Sequence, residues 1–517
     1  MISTFPAFCS TKQTITCFLA PAPCRDYYRS VSENGTPLPK LLGSSSYVPR
    51  NKKGRGAQEL SKNWISNPMD GDRMKRLLAA LGWDVDRAVL QGEGDGDAMR
   101  ARGSKQIVFR VTLESSANHA RSRYQHPIAI FGSEAERDGF RTVCLFGQYD
   151  ADTLVATCSR LSATLPTIVF LDYALDLKQR RRLARKMKEA QLGKTYAVID
   201  RVVMAYLFRN YDEIQVNRML MMLIMPFAAC QPYVPDSGQP MPPELFLGRK
   251  EDLRAVEAAA GVNIVYGGRQ LGKSALLKMA QNDIDHDEAG DRAILVDLHD
   301  CASVGAAALA VSRELTDLHF FKGGQGVETE DWDTLARAIM QRLRDPVDHI
   351  PYFLLMLDEA DRFIEQCAAV QYRPFDALKR VQQNGSAKFK FVIAGLHNIV
   401  RFSRGALGDN SVLAHLTHCT VKPFRVSEAR ELLETPLRYL GFRFSEESGS
   451  LISLILAHAN YFPGLIQLYC KELIRTLSKE NYAGYDENRT PPYEITRDHV
   501  RAVLTNHEFL EQVREKF

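Results

Sequence analysis

The 517-residue chain has no Cys-x-x-Cys pair and no cysteine–histidine spacing of the zinc type, its ten cysteines being scattered at 9, 17, 24, 144, 158, 230, 301, 367, 419 and 470. That excludes a zinc ribbon or finger, and a chain of this size has no need of disulfide staples. Free thiols in a reducing cytoplasm are the expectation. A long apolar run is missing too. The most apolar stretch, Met219–Cys230, is shorter than a bilayer span and contains Pro226, so it reads as a core helix and no membrane partner is expected. Met1–Pro23 lacks a basic start, and Thr11-Lys12-Gln13-Thr14 interrupts its apolar residues, so a signal peptide is not expected there. Charge of one sign is scarce as well. A net +4 leaves room for a local basic patch but gives no ground for a nucleic-acid binder. No internal repeat is present.

What is there is ordinary globular composition, 45% hydrophobic and 25% charged, in a chain long enough for several domains. Residues 1–104 are expected to be weakly ordered. They mix Pro, Gly and Ser and carry a basic run at Arg50–Arg55, a short amphipathic helix at Met74–Trp83 and a Gly/Asp-rich linker at Gln91–Ser104. Residues 105–232 alternate strand-like runs (Gln106–Val111, Thr142–Phe146, Thr167–Leu171, Thr195–Ile199) with helical periodicity, which predicts a small α/β domain with a largely parallel sheet. Asp172 and Asp200 fall at strand ends and read as caps or turn residues rather than ligands. Asp176–Ala190 is a basic amphipathic helix, read as a solvated face with a nucleic-acid-binding face as the alternative. Residues 233–243 close a proline-rich stretch, Gln231–Pro243, with five prolines, and mark a linker.

Residues 244–424 carry the chemistry. A short apolar strand, Asn263–Tyr266, runs into Gly267-Gly268-Arg269-Gln270-Leu271-Gly272-Lys273-Ser274 and then a helix. This is the G-x-x-x-x-G-K-S phosphate loop in its strand–loop–helix context. The glycines let successive N–H groups turn inward on a phosphate, and Ala275 opens the helix whose N-terminal dipole favours the anion. Lys273 would reach the β- and γ-phosphates of ATP and Ser274 would ligate Mg2+. Downstream, the apolar run Tyr352–Leu357 predicts a strand buried on both faces and ends in Asp358-Glu359. Asp358 is the expected Mg2+ partner. Glu359 is the expected catalytic acid that polarises water, beside Lys273. Ala293–Leu298 and Phe389–Ala394 extend the same sheet, and His397 and Asn398, just past the latter, are γ-phosphate sensor candidates. Arg401 and Arg404 read as surface salt-bridge formers, with a transition-state contact as the alternative.

Residues 244–517 resemble the STAND branch of AAA-related P-loop ATPases. The resemblance rests on Leu245–Leu253 with Arg249, on the phosphate loop, on Leu357-Asp358-Glu359-Ala360-Asp361, on Ala394-Gly395, and on Val421–Ala429 continuing through Leu432–Gly441. It implies an α/β P-loop NTPase with a parallel sheet core and a C-terminal helical lid, preceded here by a second, smaller α/β domain. It also places Arg249's segment beside adenine and brings Pro463 toward the nucleotide, although Asn460-Tyr461-Phe462-Pro463 keeps only the proline of the relatives' Gly-Gly-x-Pro. Residues 425–517 would form the lid and the start of a winged helix, cut short at Phe517, so a fragment is one expectation. The implied function is an ATP-driven switch coupled to signalling or defence assembly, with self-oligomerisation and a protein trigger or effector as partners. A DNA-dependent loader and a non-hydrolysing nucleotide-gated scaffold are the alternatives.

Overall fold

A computed structural model describes residues 54–91, 106–114, 126–161, 165–190, 195–235, 241–285, 290–321, 326–384, 388–396, 416–445, 448–479 and 493–516. In the N-terminal part, α1 (Gly54–Lys62) and α2 (Gly71–Ala80) lead into β1 (Val85–Leu90) and β2 (Gln106–Leu113). Then come α3 (Ser133–Asp138), β3 (Phe140–Leu145), α4 (Ala151–Ser159), β4 (Thr167–Leu171), α5 (Leu177–Glu189), β5 (Tyr196–Ile199), α6 (Arg201–Arg209) and α7 (Val216–Ile224). The strands form one sheet in the order β1-β2-β3-β4-β5.

Two expectations change here. Residues 54–90 are folded into this domain: Leu77, Leu78 and Trp83 are fully buried, and the Trp83 indole donates to the Phe131 carbonyl at 2.9 Å. The sheet is mixed rather than largely parallel. β3, β4 and β5 run parallel because α4 and α5 cross over between them, whereas β1–β2 and β2–β3 pair antiparallel. The strand-end aspartates are structural. Asp200 is fully buried, caps α6 through the Val203 N–H at 3.0 Å, and pairs with the buried Arg180. Asp172 pairs with Arg201 at 2.7 Å. The basic helix α5 is therefore not a uniform solvated face, since Arg180 and Arg181 point inward.

The second part contains α8 (Lys250–Glu257), β6 (Ile264–Tyr266), α9 (Lys273–Asp285), β7 (Arg292–Asp297), α10 (Val304–Asp317) and α11 (Trp332–Leu343). β8 (Tyr352–Asp358), α12 (Asp361–Ala369), α13 (Arg373–Asn384), β9 (Lys388–Gly395) and β10 (His418–Thr420) complete it. Its sheet is parallel throughout, in the order β10-β6-β9-β8-β7. Every residue of β8 is buried, as its unbroken apolar run requires of a strand covered on both faces. One buried cluster lies on each face of the sheet, one with Phe353, Leu355 and Phe391, the other with Leu276, Leu354 and Met356.

The C-terminal part holds α14 (Val426–Tyr439), β11 (Phe442–Phe444), α15 (Ser448–His458), α16 (Pro463–Lys479), β12 (Tyr493–Ile495), α17 (Arg497–Leu504) and α18 (His507–Glu515). Residues 493–516 do not open a separate winged-helix unit. β12 pairs in parallel with β11, the Tyr469 hydroxyl donates to the Val500 carbonyl at 2.9 Å, and Arg475 bridges Glu472 and Glu508. They complete the lid. The lid's buried residues also form one continuous cluster with the N-terminal domain, from Trp83 and Met221 to Leu433 and Tyr469. Tyr233 seals this contact by donating to the buried Leu433 carbonyl at 2.8 Å.

Candidate nucleotide site

The phosphate loop leaves β6 and turns through two residues in the left-handed region, Gln270 (φ 60°) and Gly272 (φ 89°), before α9 begins at Lys273. Gly272 supplies a conformation that a side chain would strain. The turn aims the first N–H groups of α9 and the buried Lys273 ammonium into one space. Lys273 Nζ donates to the Gly267 and Gly268 carbonyls at 3.0 and 3.2 Å, folding back over its own loop.

Strand order sets the rest. β9 lies between β6 and β8, so the carboxyl ends of all three converge. Asp358, the buried last residue of β8, accepts the Glu359 N–H at 2.9 Å, and Glu359 adopts φ 49°, turning the chain sharply out of the strand. Burial, and then the neighbouring Asp358, push the Glu359 carboxyl above its ordinary range, while Lys273 opposes the shift. Burial pulls the Lys273 ammonium down, against the attraction of Glu359, Asp358 and Asp361. Asp361 fastens the end of β9 by accepting the Leu396 N–H at 2.7 Å.

Lys273, Asp358 and Glu359 line a cavity of about 670 Å³ together with Arg269, Leu271, Ser274 and Ala275. Its floor is the loop, and its apolar wall is Met241, Leu245, Phe246 and Leu247. Size and lining suit a nucleotide, with an apolar side for a base and a cationic, N–H-rich side for phosphates. The loop fits a triphosphate on its own geometry, since the Lys273 ammonium rests on carbonyl oxygens where phosphate oxygens could replace them. Ser274 and Asp358 give only hard oxygen donors, the set Mg2+ takes when phosphates and water fill the remaining positions. No group of three or more metal-ligating His, Cys, Asp or Glu side chains occurs among the described residues.

Arg249 and Pro463 also line the cavity, and each belongs to a contact that joins the loop to the lid. The guanidinium of Arg249 donates to the Leu271 carbonyl at 3.2 Å and to the Lys422 carbonyl, and stacks 5.0 Å over the Phe424 ring. It lines the cavity, but its hydrogen bonds clamp the loop to the start of the lid. Pro463 stands at the first turn of α16 beside the loop, where the Gly464 N–H donates to the Gln270 carbonyl at 3.2 Å. A Cβ at Gly464 would lie 2.1 Å from Gln270 Oε1, so a larger residue there would push the end of that side chain aside. His397, Asn398, Arg401 and Arg404 lie outside the described residues.

Sequence reasoning missed several lining residues: Asp297 and His299 at the end of β7, Gln467 of α16, Val234 and Pro235 of the linker, and Glu515 and Lys516. An acid ending the predicted strand Ala293–Leu298 was a usable signal for Asp297, which sits in register with Asp358. The others are brought together only by the tertiary fold.

Strand order, the loop after β6 and the acids after β8 define an α/β P-loop NTPase core with a C-terminal helical lid. No family model and no curated protein matches the chain. Among solved structures it is similar to a Walker-type ATPase of Pyrococcus abyssi at 17% identity and TM-score 0.34, over 52% of this chain and 76% of that one. It is also similar to the Aeropyrum pernix ORC2 protein in ADPNP and ADP complexes, at 16% identity and TM-score 0.35, over 49% of this chain and 66% of the other. Drosophila ORC bound to DNA aligns at 14% identity and TM-score 0.37, over 50% of this chain and 67% of that one. The class rests on the chain's own sheet and loop, not on these distant likenesses. Among the described residues no helix is long and apolar enough to cross a membrane.

Proposed function

We propose that the chain is an ATP-binding and ATP-hydrolysing switch of the STAND type, in which nucleotide state sets how the lid packs on the core. Lys273 and the loop N–H groups hold the β- and γ-phosphates. Ser274 and Asp358 would hold Mg2+, which when bound would supply positive charge beside the phosphate oxygens, and Glu359 orients and polarises the attacking water. The observation that carries this reading is the single cavity that brings Lys273, Asp358 and Glu359 together with Pro463 and Gln467 of the lid. A ligand touching both bodies can bias their packing, which is what a switch requires.

The test is ATP affinity and turnover of the purified chain, with and without DNA, beside two variants. Lys273→Ala should lose affinity, whereas Glu359→Gln should bind ATP and lose turnover. Full affinity and turnover in Lys273→Ala would sink the reading. Turnover unchanged in Glu359→Gln would leave binding without the proposed chemistry, and DNA-stimulated turnover that falls steeply with salt would favour the loader instead.

A further inference from the structure

Gln467 has a position that the hydrolytic chemistry does not require. It lies one helical turn beyond Pro463 on α16, so both present the same face to the loop. Its side chain is 2% exposed and lines the nucleotide cavity. Its Oε1 accepts the Val234 N–H at 3.0 Å, and Val234 and the adjacent Pro235 line the cavity themselves. No partner is found for its Nε2 among the described residues, yet that nitrogen is not among the sealed, unsatisfied polar atoms. For a side chain so enclosed, the opening left to that nitrogen is the cavity. A buried amide with an unspent donor facing a ligand site is costly unless something there accepts from it.

The linker carrying Val234 is fixed elsewhere to the same body. Tyr233 donates to the Leu433 carbonyl, Gln231 Nε2 to the Lys471 carbonyl at 3.4 Å, and Lys516 Nζ to the Pro235 carbonyl at 3.4 Å. Further up, Arg218 Nε donates to the Tyr439 hydroxyl at 3.0 Å, and Lys188 to the Ser478 carbonyl. One amide side chain thus stands between the nucleotide cavity and the strand of chain that leads to the N-terminal domain.

We infer that Gln467 is a nucleotide-sensing positioning residue: its Nε2 donates to an acceptor on the bound nucleotide, a ribose oxygen or a base heteroatom, while its Oε1 holds the linker at Val234. Occupancy of the site is thereby passed to the linker without passing through the catalytic acids. This rests on the nucleotide-site reading above and adds to it the route by which the N-terminal domain learns the state of that site.

Two substitutions separate the two halves of the amide. Gln467→Glu keeps the acceptor for the Val234 N–H and removes the donor; Gln467→Leu removes both. ATP affinity is measured by calorimetry, and hydrogen exchange of residues 231–235 is followed with and without ATP, after thermal melting has shown both variants folded. In the native chain ATP should slow exchange in the linker. The Glu variant should keep the ATP-free protection, lose the ATP-dependent increment and bind ATP about tenfold more weakly, the loss of one hydrogen bond. The Leu variant should lose both kinds of protection. Native affinity in the Glu variant with the ATP-dependent increment intact would overturn the inference, as would exchange in the native linker indifferent to bound ATP. A native chain that binds no ATP would remove the site reading itself, a result distinct from these. Should the Leu variant fail to fold, the Glu variant decides alone.

Discussion

Lys390 is a charged side chain with no exposed surface in the middle of the parallel sheet, and its replacement gives a sharp test. It rises from β9 to the C-terminus of α8, where Nζ donates to the carbonyls of Ala255, Val256 and Ala258 at 3.1, 2.6 and 2.8 Å. These are carbonyls of the kind a helix end leaves without intrahelical partners, and a cation is well placed there. Replacing Lys390 with Met keeps most of the stem and removes the cap. Not all three acceptors are then orphaned. Ala255 O still receives the Val262 N–H at 2.9 Å, and Ala258 O the Gly261 N–H at 2.8 Å. Val256 O alone loses its partner, so the expected cost is that of one buried unsatisfied carbonyl, about 1–3 kcal/mol. The relief of a buried charge works against it. Burial has lowered the Lys390 pKa from 10.5 to about 8, so above pH 8 the folded chain releases a proton that the unfolded chain keeps up to 10.5. The unfolded state then binds more protons, and stability from this group rises with pH across that window. The assay is thermal and urea unfolding of the native chain and Lys390→Met at pH 7 and 9.5. The stability of the native chain relative to the variant should rise from pH 7 to pH 9.5, as the buried charge that opposes the cap is lost. A difference that stays constant, or that shifts the other way, would refute the account.

Three further outcomes are expected. Glu257, raised from 4.5 to about 7 by burial and then by Asp283, holds a proton in the folded chain that the unfolded chain has released; its stabilisation is full below 4.5 and is lost as pH rises through about 7, so Glu257→Gln should flatten the stability profile between those values in unfolding scans. Arg249→Lys should weaken ATP affinity measured by calorimetry nearly as much as Arg249→Ala, because an ammonium cannot both bridge the Leu271 and Lys422 carbonyls and stack on Phe424. Asp200→Asn should destabilise the N-terminal domain by about 3–5 kcal/mol, since it removes the buried carboxylate paired with the buried Arg180, and urea unfolding of the variant measures it.

The phosphate loop of the candidate site was legible because its backbone demands particular residues at fixed spacing. Gly272 must take φ 89°, and Lys273 must follow it at the helix start. β8 was legible for a different reason: a strand buried on both faces needs seven apolar or capping residues in a row, and the sequence supplies them. β1 was missed because one side of it is an open edge. Its exposed Asp86 and Arg87 make Val85–Leu90 look like a loop, and only the antiparallel ladder with β2 makes it a strand. Arg180 and Arg181 misled in the opposite sense, because charge alone cannot say that Asp200, twenty residues downstream of Arg180, is waiting under the helix. The bond from Val234 to Gln467 spans 233 positions and has no local signature whatever.

That last kind of contact bears on how the parts should move. The lid meets the N-terminal domain through a continuous apolar cluster that includes Leu433, Leu437 and Tyr439 of the one and Val216, Leu220 and Met221 of the other. A dry, close-packed contact of this sort resists small sliding, since each displaced side chain opens a void. The lid meets the phosphate loop through a thinner contact: the partly buried Phe462 against the cluster that holds Leu271, one N–H···O bond from Gly464 to Gln270, the Arg249 clamp, and the open cavity. Polar contacts beside a ligand can be exchanged for contacts to that ligand at little cost. Nucleotide exchange should therefore rotate lid and N-terminal domain together, with the bend at Lys422–Phe424 where the chain leaves the sheet. A pair of fluorophores on the N-terminal domain and the ATPase core should change distance on ATP addition, whereas a pair on the N-terminal domain and α16 should not. If the second pair moves and the first stays still, the apolar contact is the hinge and the polar one the rigid joint.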